Sequence, residues 1–190
     1  MRITGGQARG RVINGPTGLE ARPTASKIRQ AFFNILYRRV PDSRFLDLFA
    51  GTGLIGLEAL SRGAASLVAV EENRRLARSI EANLVRLGFE GEVICRDVRK
   101  VLSVLEPAGF DLIFADPPYL SDRLGLSVLI SVDKHRLLSE GGIVAIEHAR
   151  SARLPEQVGE LSLFDHRHYG QTAVSFYSWS AGGAGLIESR

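Results

Sequence analysis

A chain of 190 residues with 45% hydrophobic residues, 24% charged residues and a net charge of +3 has the size and composition of one globular domain with a sizeable core. No apolar run reaches the ~18 residues that a membrane-spanning helix needs, and no charged-then-apolar leader opens the chain, so a cytoplasmic location is expected. One cysteine, Cys95, excludes an internal disulfide and suits a reducing compartment; its apolar setting, Val93-Ile94-Cys95, predicts a buried packing residue.

The positive charge is concentrated at the start. Residues 1–40 carry Arg2, Arg9, Arg11, Arg22, Lys27, Arg29, Arg38 and Arg39 against Glu20 alone, a net +7, and the rest of the chain is net −4. Such asymmetry points to an extension that meets a polyanion. Met1–Arg22 places glycines at 5, 6, 10, 15 and 18 between short β-like pieces, which predicts a small hairpin or loop. From Pro23, the residues Ile28, Ala31, Phe32, Ile35 and Leu36 recur on one helical face. That stripe should pack on a sheet and leave Arg29, Arg38 and Arg39 in solvent.

From Arg44 onward, strands and helices alternate. Strands are predicted at about 44–49, 66–71, 91–96, 110–115 and 141–147, and helices at about 54–63, 73–87, 98–106 and 123–138. This order implies a parallel sheet covered on both faces. Ser162–Tyr169 and Thr172–Trp179 are β-rich runs around Gly170-Gln171, a hairpin signal that adds antiparallel strands at one edge. Ala181–Arg190 is rich in glycine and alanine and reads as a frayed tail.

Two segments carry chemistry. Phe45–Gly56 reads as a strand, a tight turn and a helix start, with Gly51, Gly53 and Gly56 at dinucleotide-fingerprint spacing. Glu71 ends the next strand, 20 residues after Gly51, in position to hold ribose hydroxyls. Taken alone, this segment fits NAD and S-adenosylmethionine equally. Asp47, inside the first strand, tips the balance. Its charge opposes a pyrophosphate and favours the cationic methyl donor. Asp97, at the end of the third strand, could accept from an adenine amine or merely cap the next helix.

The second segment is Asp116-Pro117-Pro118-Tyr119. Two prolines cannot continue a strand, so the apolar run Phe110–Ala115 must end there. A carboxylate, a carbonyl and an aromatic ring then meet at the carboxyl edge of the sheet, where open α/β folds bind ligands. Together they can grip an exocyclic amine and stack on its planar ring. The chain reverses after the third strand, so strands one and four should be neighbours and the two segments should flank one crevice. His135, His148, His166 and His168 lack metal-ligand spacing, and no metal is expected; His166 and His168 alternate along a strand as surface positions.

With Asp47-Leu48-Phe49-Ala50-Gly51-Thr52-Gly53 as motif I and Asp116–Tyr119 as motif IV, the sequence resembles class I S-adenosylmethionine-dependent methyltransferases of the amino-group type. Met1-Arg2-Ile3, Arg9-Gly10-Arg11, Arg22-Pro23-Thr24 and Leu57–Ala64 narrow the resemblance to the RsmD family of bacterial 16S rRNA guanine-N2 methyltransferases, over roughly residues 1–179.

The resemblance implies a doubly wound, Rossmann-like α/β fold. Its seven-stranded, mostly parallel sheet would carry the closing antiparallel hairpin and a short basic N-terminal β/helix extension. It divides the chain into an extension at 1–40, a methyltransferase domain at 41–180 and a tail at 181–190. S-adenosylmethionine would be held by Asp47, Ala50, Gly51, Thr52, Gly53, Glu71, Asp97 and Val98. Asp116, Pro117 and Tyr119 would be catalytic, and Arg2, Arg9, Arg11 and Arg22 would contact RNA. The implied substrate is a guanine of the 966 type in 16S rRNA, free or within a 30S particle, acted on by a monomer. Glu72 departs from the pattern, because an apolar residue often follows the ribose-binding acid. Three alternatives stay open: an adenine-N6 DNA or RNA methyltransferase, a protein-glutamine methyltransferase (which would more naturally carry Asn at 116), and a non-catalytic RNA-binding protein on a methyltransferase fold.

Overall fold

The structure, a computed structural model, describes residues 1–15, 23–118 and 122–180. Arg22, Tyr119 and the tail at 181–190 lie outside the described residues. Helix α1 (Pro23–Ile35) precedes an alternating run of β1 (Arg44–Leu48), α2 (Leu54–Ser61), β2 (Ser66–Val70), α3 (Arg74–Leu87), β3 (Glu92–Ile94), α4 (Val98–Val101), β4 (Phe110–Ala115), α5 (Asp122–Lys134) and β5 (Leu138–Ala149). Strands β6 (Gln157–Val158), β7 (Leu161–Tyr169) and β8 (Thr172–Trp179) follow. The sheet order is β3-β2-β1-β4-β5-β8-β7-β6. It contains the seven expected strands and adds the two-residue β6 at its edge. Strands β1 to β5 pair in parallel, and β8 joins β5 antiparallel.

The apolar runs explain this core. Strand β4 is buried at five of its six positions, as a central strand covered on both faces must be. The sheet separates two apolar layers. On one side Ile28, Phe32, Leu57 and Ile80 from α1, α2 and α3 pack with Phe45, Phe114 and Phe176. The Phe32 ring meets Phe33 and Phe114 edge-on at 5.1 and 5.0 Å, a favoured aromatic geometry. On the other side Val98 and Val101 of α4 and Val128 and Val132 of α5 pack with Leu46, Ile113 and Val144.

The N-terminal extension is a docked hairpin. Arg2 and Val12 bridge antiparallel, and Ile3 and Ile13 bury their side chains in the first layer. Gln7 N–H donates to Ser61 O at 2.7 Å, and Ala8 N–H to Ser61 Oγ at 2.9 Å, fixing the hairpin to the end of α2.

Three expectations need correction. Arg29 is not in solvent: it is 5% exposed, and its Nε lies 2.9 Å from Oε2 of the fully buried Glu58. Arg62 donates to the same carboxylate at 2.7 Å, and Thr4 supplies both its N–H and its hydroxyl. The hairpin covers the side of α1 that helical spacing alone assigns to water, and burial pulls the Arg29 guanidinium below its ordinary pKa despite Glu58. Cys95 is exposed, because β3 is a three-residue edge strand that stops at Ile94. Helices α4 and α5 stop at Val101 and Lys134, short of the apolar patterns that suggested 106 and 138. Leu137 and Leu138 are buried, Leu138 as the first residue of β5, so the chain has already turned back into the sheet.

Candidate functional site

The site is assembled where β1, β2, β3 and β4 end side by side. Asp47 pairs with Phe114 and Leu48 with Ala115, so β1 and β4 are neighbours as the reversal after β3 requires. Asp116 follows directly, its N–H reaching Leu48 O at 3.4 Å. A cavity of about 430 Å³ opens here, lined by Phe49, Glu71, Glu72, Asp97, Val98, Arg99, Asp116, Pro118 and Leu124. That volume lies within the range of small-molecule sites.

The turn after β1 owes its shape to backbone that few residues accept. Gly51 and Gly53 have φ of 56° and 74°. Phe49, at φ 61°, has the same left-handed conformation without being glycine, a strain of about 1–3 kcal/mol that the surrounding structure must hold in place. Gly56 serves close approach instead. A Cβ there would stand 2.6 Å from Leu67 Cδ1 and 3.2 Å from Asp47 Oδ2. With only a hydrogen in that place, Gly56 N–H donates to Asp47 Oδ2 at 2.9 Å.

Asp47 is 2% exposed and lies close to the lining carboxylates Asp116 and Glu71. Burial raises its pKa to about 7; the Gly56 N–H opposes the rise, and the neighbouring Asp116 and Glu71 carboxylates add to it. Glu71 ties the turn together, with Oε2 accepting from Gly51 N–H and Oε1 from Asn73 N–H, both at 2.8 Å. Asp97 caps α4 through Arg99 N–H at 2.8 Å and also faces the cavity, so the capping and lining roles coexist. Its side-chain bond to Arg99 brings its pKa down to about 2.

The expected residues therefore fall into groups. Glu71, Asp97, Val98 and Asp116 line one cavity. Asp47, Gly51 and Gly53 do not line it; Gly51 is tied to the lining residue Glu71, and Asp47 to Gly56, through the bonds just described. Thr52 turns toward the N-terminal hairpin, its hydroxyl 3.8 Å from the Met1 sulfur, and Pro117 is buried. Arg2, Arg9 and Arg11 are exposed on the hairpin, away from the cavity lining. Phe49, Arg99, Pro118 and Leu124 were not anticipated as lining residues. Phe49 and Pro118 lie inside the two motifs and could have been read from them; nothing local marks Arg99 or Leu124.

The electrostatics favour a cation. Glu71, Glu72, Asp97 and Asp116 line the space, the buried Asp47 lies close to Asp116 and Glu71, and among the described lining residues the one base, Arg99, is already paired with Asp97. A pyrophosphate would meet the Glu71, Glu72 and Asp116 carboxylates, from which a positively charged ligand gains. Among the described residues no His/Cys/Asp/Glu group has metal-binding geometry.

Comparison with known proteins agrees with this geometry. The family model described as conserved hypothetical protein 95 matches residues 1–178. A putative rRNA methyltransferase YlbH of Bacillus subtilis is 34% identical over 93% of this chain and 98% of its own. Ribosomal RNA small subunit methyltransferase D of Escherichia coli K12 is 32% identical over 96% and 92%. The solved structure of a putative methyltransferase yhhF from Escherichia coli superposes with a TM-score of 0.85 at 31% identity, covering 94% of this chain and 97% of that one. Matched along nearly its whole length in both sequence and fold, the chain belongs to the conserved hypothetical protein 95 family, that of the RsmD-type methyltransferases.

Proposed function

We propose that the protein methylates the exocyclic N2 of a guanine in 16S rRNA, with S-adenosylmethionine as methyl donor. The carrying observation is the adjacency of β1 and β4, which sets Asp116 against the rim of a carboxylate-lined cavity beside the glycine turn. The Escherichia coli relative is named as a ribosomal RNA small subunit methyltransferase and the Bacillus subtilis one as a putative rRNA methyltransferase, which supports the substrate class.

The residues suit the cofactor. Gly51 and Gly53 supply the left-handed backbone of the turn beside the cavity, Glu71 and Asp97 offer acceptors for ribose and adenine, and a cation bound nearby would draw the buried Asp47 toward its ionised form. When bound there, S-adenosylmethionine would supply an electrophilic methyl group, with the electron pair of the broken methyl–sulfur bond staying on sulfur as the departing thioether.

The chain's own groups do the rest. The guanine amine is a weak nucleophile, because its lone pair is delocalised into the ring. The Asp116 carboxylate and Pro117 carbonyl accept its two N–H groups and favour a pyramidal nitrogen. These bonds strengthen as positive charge grows on that nitrogen, so they stabilise the transition state more than the ground state. N2 gains the methyl group and gives up one proton, for which Asp116 is the nearest acceptor. Tyr119 stacks on the base, a contact worth about 1–3 kcal/mol. The base must leave its helix to reach the crevice.

An adenine-N6 enzyme would use the same grip. Incubation with labelled S-adenosylmethionine and unmethylated 30S particles, 16S rRNA or DNA, followed by identification of the modified nucleoside, tests the proposal. N2-methylguanosine from 16S rRNA is expected. N6-methyladenine, or no transfer at all, refutes it.

A further inference from the structure

The proposed cofactor cavity, beside which the base would enter, is acidic, so the phosphates of an RNA need a separate surface to hold them. The first forty residues supply less of it than their charge suggests. Arg29 is buried on Glu58, and Arg39 donates to Gly141 O on β5. What stays exposed on the described hairpin is Arg2, Arg9 and Arg11.

Helix α3 adjoins this hairpin and carries Arg74, Arg75, Arg78 and Arg86, all exposed. The two are fastened together. Asn14 N–H donates to Asn83 Oδ1 at 3.2 Å, and Asn83 Nδ2 and Ser79 Oγ both donate to Asn14 O at 2.7 Å. Arg86 donates to Val12 O. Ser79, Asn83 and Arg86 therefore mark the stripe of α3 that faces the hairpin; Arg75 lies one turn earlier on that stripe, and Arg78 borders it. A cleft of about 230 Å³ opens between the two elements, lined by Gln7, Arg9, Arg11, Leu87 and Phe89 among others.

Arg86 is fastened to the hairpin at the helix end that favours a cation, but Arg74, Arg75 and Arg78 are not explained by stability. Arg74 and Arg75 stand in the first turn, where the helix dipole disfavours cations, and that turn has no acid. Among the described residues Arg74, Arg75 and Arg78 form no ion pair. Residues 1–15 and 74–87 together hold seven arginines against Glu81 alone, a net +6 in a chain of net +3. The first turn of α3 also follows directly on Glu71 and Glu72, which line the cavity, so the basic surface begins at its rim.

We propose that the exposed arginines of the first two turns of α3, with Arg75 at the edge toward the hairpin and Arg78 beside it, join the hairpin's Arg2, Arg9 and Arg11 in one surface that holds the RNA phosphate backbone. The inference rests on the proposed action on RNA. It adds binding residues that lie well outside the N-terminal region, and it makes the hairpin one wall of a composite surface.

The test is direct binding of a 16S rRNA fragment across a salt series, by filter retention, without catalysis. Arg75→Ala/Arg78→Ala should weaken binding and lower the slope of log K against log salt by about 1.4–1.8, the loss of two phosphate contacts. Calorimetry with S-adenosylmethionine should be unchanged, which excludes misfolding as the cause. Lys134→Ala, at the end of α5 under the opposite face of the sheet, should leave the slope intact. An unchanged slope in the double variant overturns the proposal, as does an equal fall in the Lys134 variant. A protein that binds rRNA through Arg75 and Arg78 yet transfers no methyl group would refute the proposed function and leave this surface standing.

Discussion

Glu58→Ala gives the sharpest test of how the N-terminal hairpin is held. The wild-type carboxylate is fully buried and faces two guanidinium groups with side-chain exposures of 6% for Arg29 and 21% for Arg62. It also accepts from the Thr4 N–H at 3.2 Å and from its hydroxyl. Removing one member of a buried ion pair costs about 3–5 kcal/mol, because the remaining charge keeps its desolvation penalty without a partner. Arg62 can reach water and contributes the smaller share. Arg29 cannot, and its loss dominates. For a chain of this size, about 2–4 °C per kcal/mol converts the figure to a fall in Tm of roughly 6–20 °C. Urea unfolding followed by circular dichroism measures the free energy. Limited trypsin digestion at Arg9 and Arg11 reports whether the hairpin has come away. The companion Arg29→Met/Glu58→Leu should recover most of the stability, since an apolar pair avoids desolvation altogether. A loss below about 1 kcal/mol in Glu58→Ala, with trypsin resistance unchanged, would show that the network does not hold the hairpin.

Asp116→Ala should abolish methyl transfer while leaving S-adenosylmethionine affinity nearly intact, as read by a transfer assay beside calorimetry; near wild-type turnover would remove Asp116 from the mechanism. Tyr119→Ala should lower turnover strongly, and an unchanged rate would discard the stacking role. Gly56→Ala introduces a methyl group into space already held by Leu67 and Asp47. A stability loss of about 1–3 kcal/mol is expected from the overpacking, and wild-type stability in urea unfolding would contradict the close-approach argument. Asp47 makes stability depend on pH. Its folded pKa of about 7 lies above the ordinary 3.8, so the native state binds the extra proton between those values. The native state is therefore favoured most at low pH and loses that advantage as pH rises from 4 to 7. Relative to Asp47→Asn, wild-type stability should fall by on the order of 4 kcal/mol across that window; a flat difference would mean that the site lets Asp47 ionise freely.

Sequence patterns were most informative where burial is continuous or chemistry local. Strand β4 and helix α3 follow their apolar patterns to within a residue, and Pro117-Pro118 ends β4 for want of backbone N–H groups. Gly170-Gln171 forms the turn between β7 and β8, as its composition suggests. The missed features all depend on partners distant in the chain. Arg29 looks solvent-facing until the hairpin is laid over α1, and its partner Glu58 lies 29 positions away on another helix. The basic face of α3 reads as an ordinary solvated helix until Asn83 and Ser79 are seen to grip Asn14. Phe49 betrays no left-handed conformation in its side-chain type. In the site itself, Glu71, Asp97, Val98 and Asp116 were legible because each ends a strand or opens a helix at one edge. Arg99 and Leu124 were not, because they reach the cavity from the exposed side of α4 and from α5.

The two apolar layers have a consequence for how such a protein can change over generations. Val98 and Leu124, on the helices of one layer, line the proposed cofactor cavity, while the hairpin and α3 belong to the other. The sheet stands between them. Repacking under α4 or α5 can drift toward a different donor affinity while the surface offered to a large substrate stays as it was. Lineages meeting a remodelled RNA can change the exposed side chains of the hairpin and α3 while the buried side of α3, which supports the glycine turn, stays as it is. Traits so divided are open to selection one at a time.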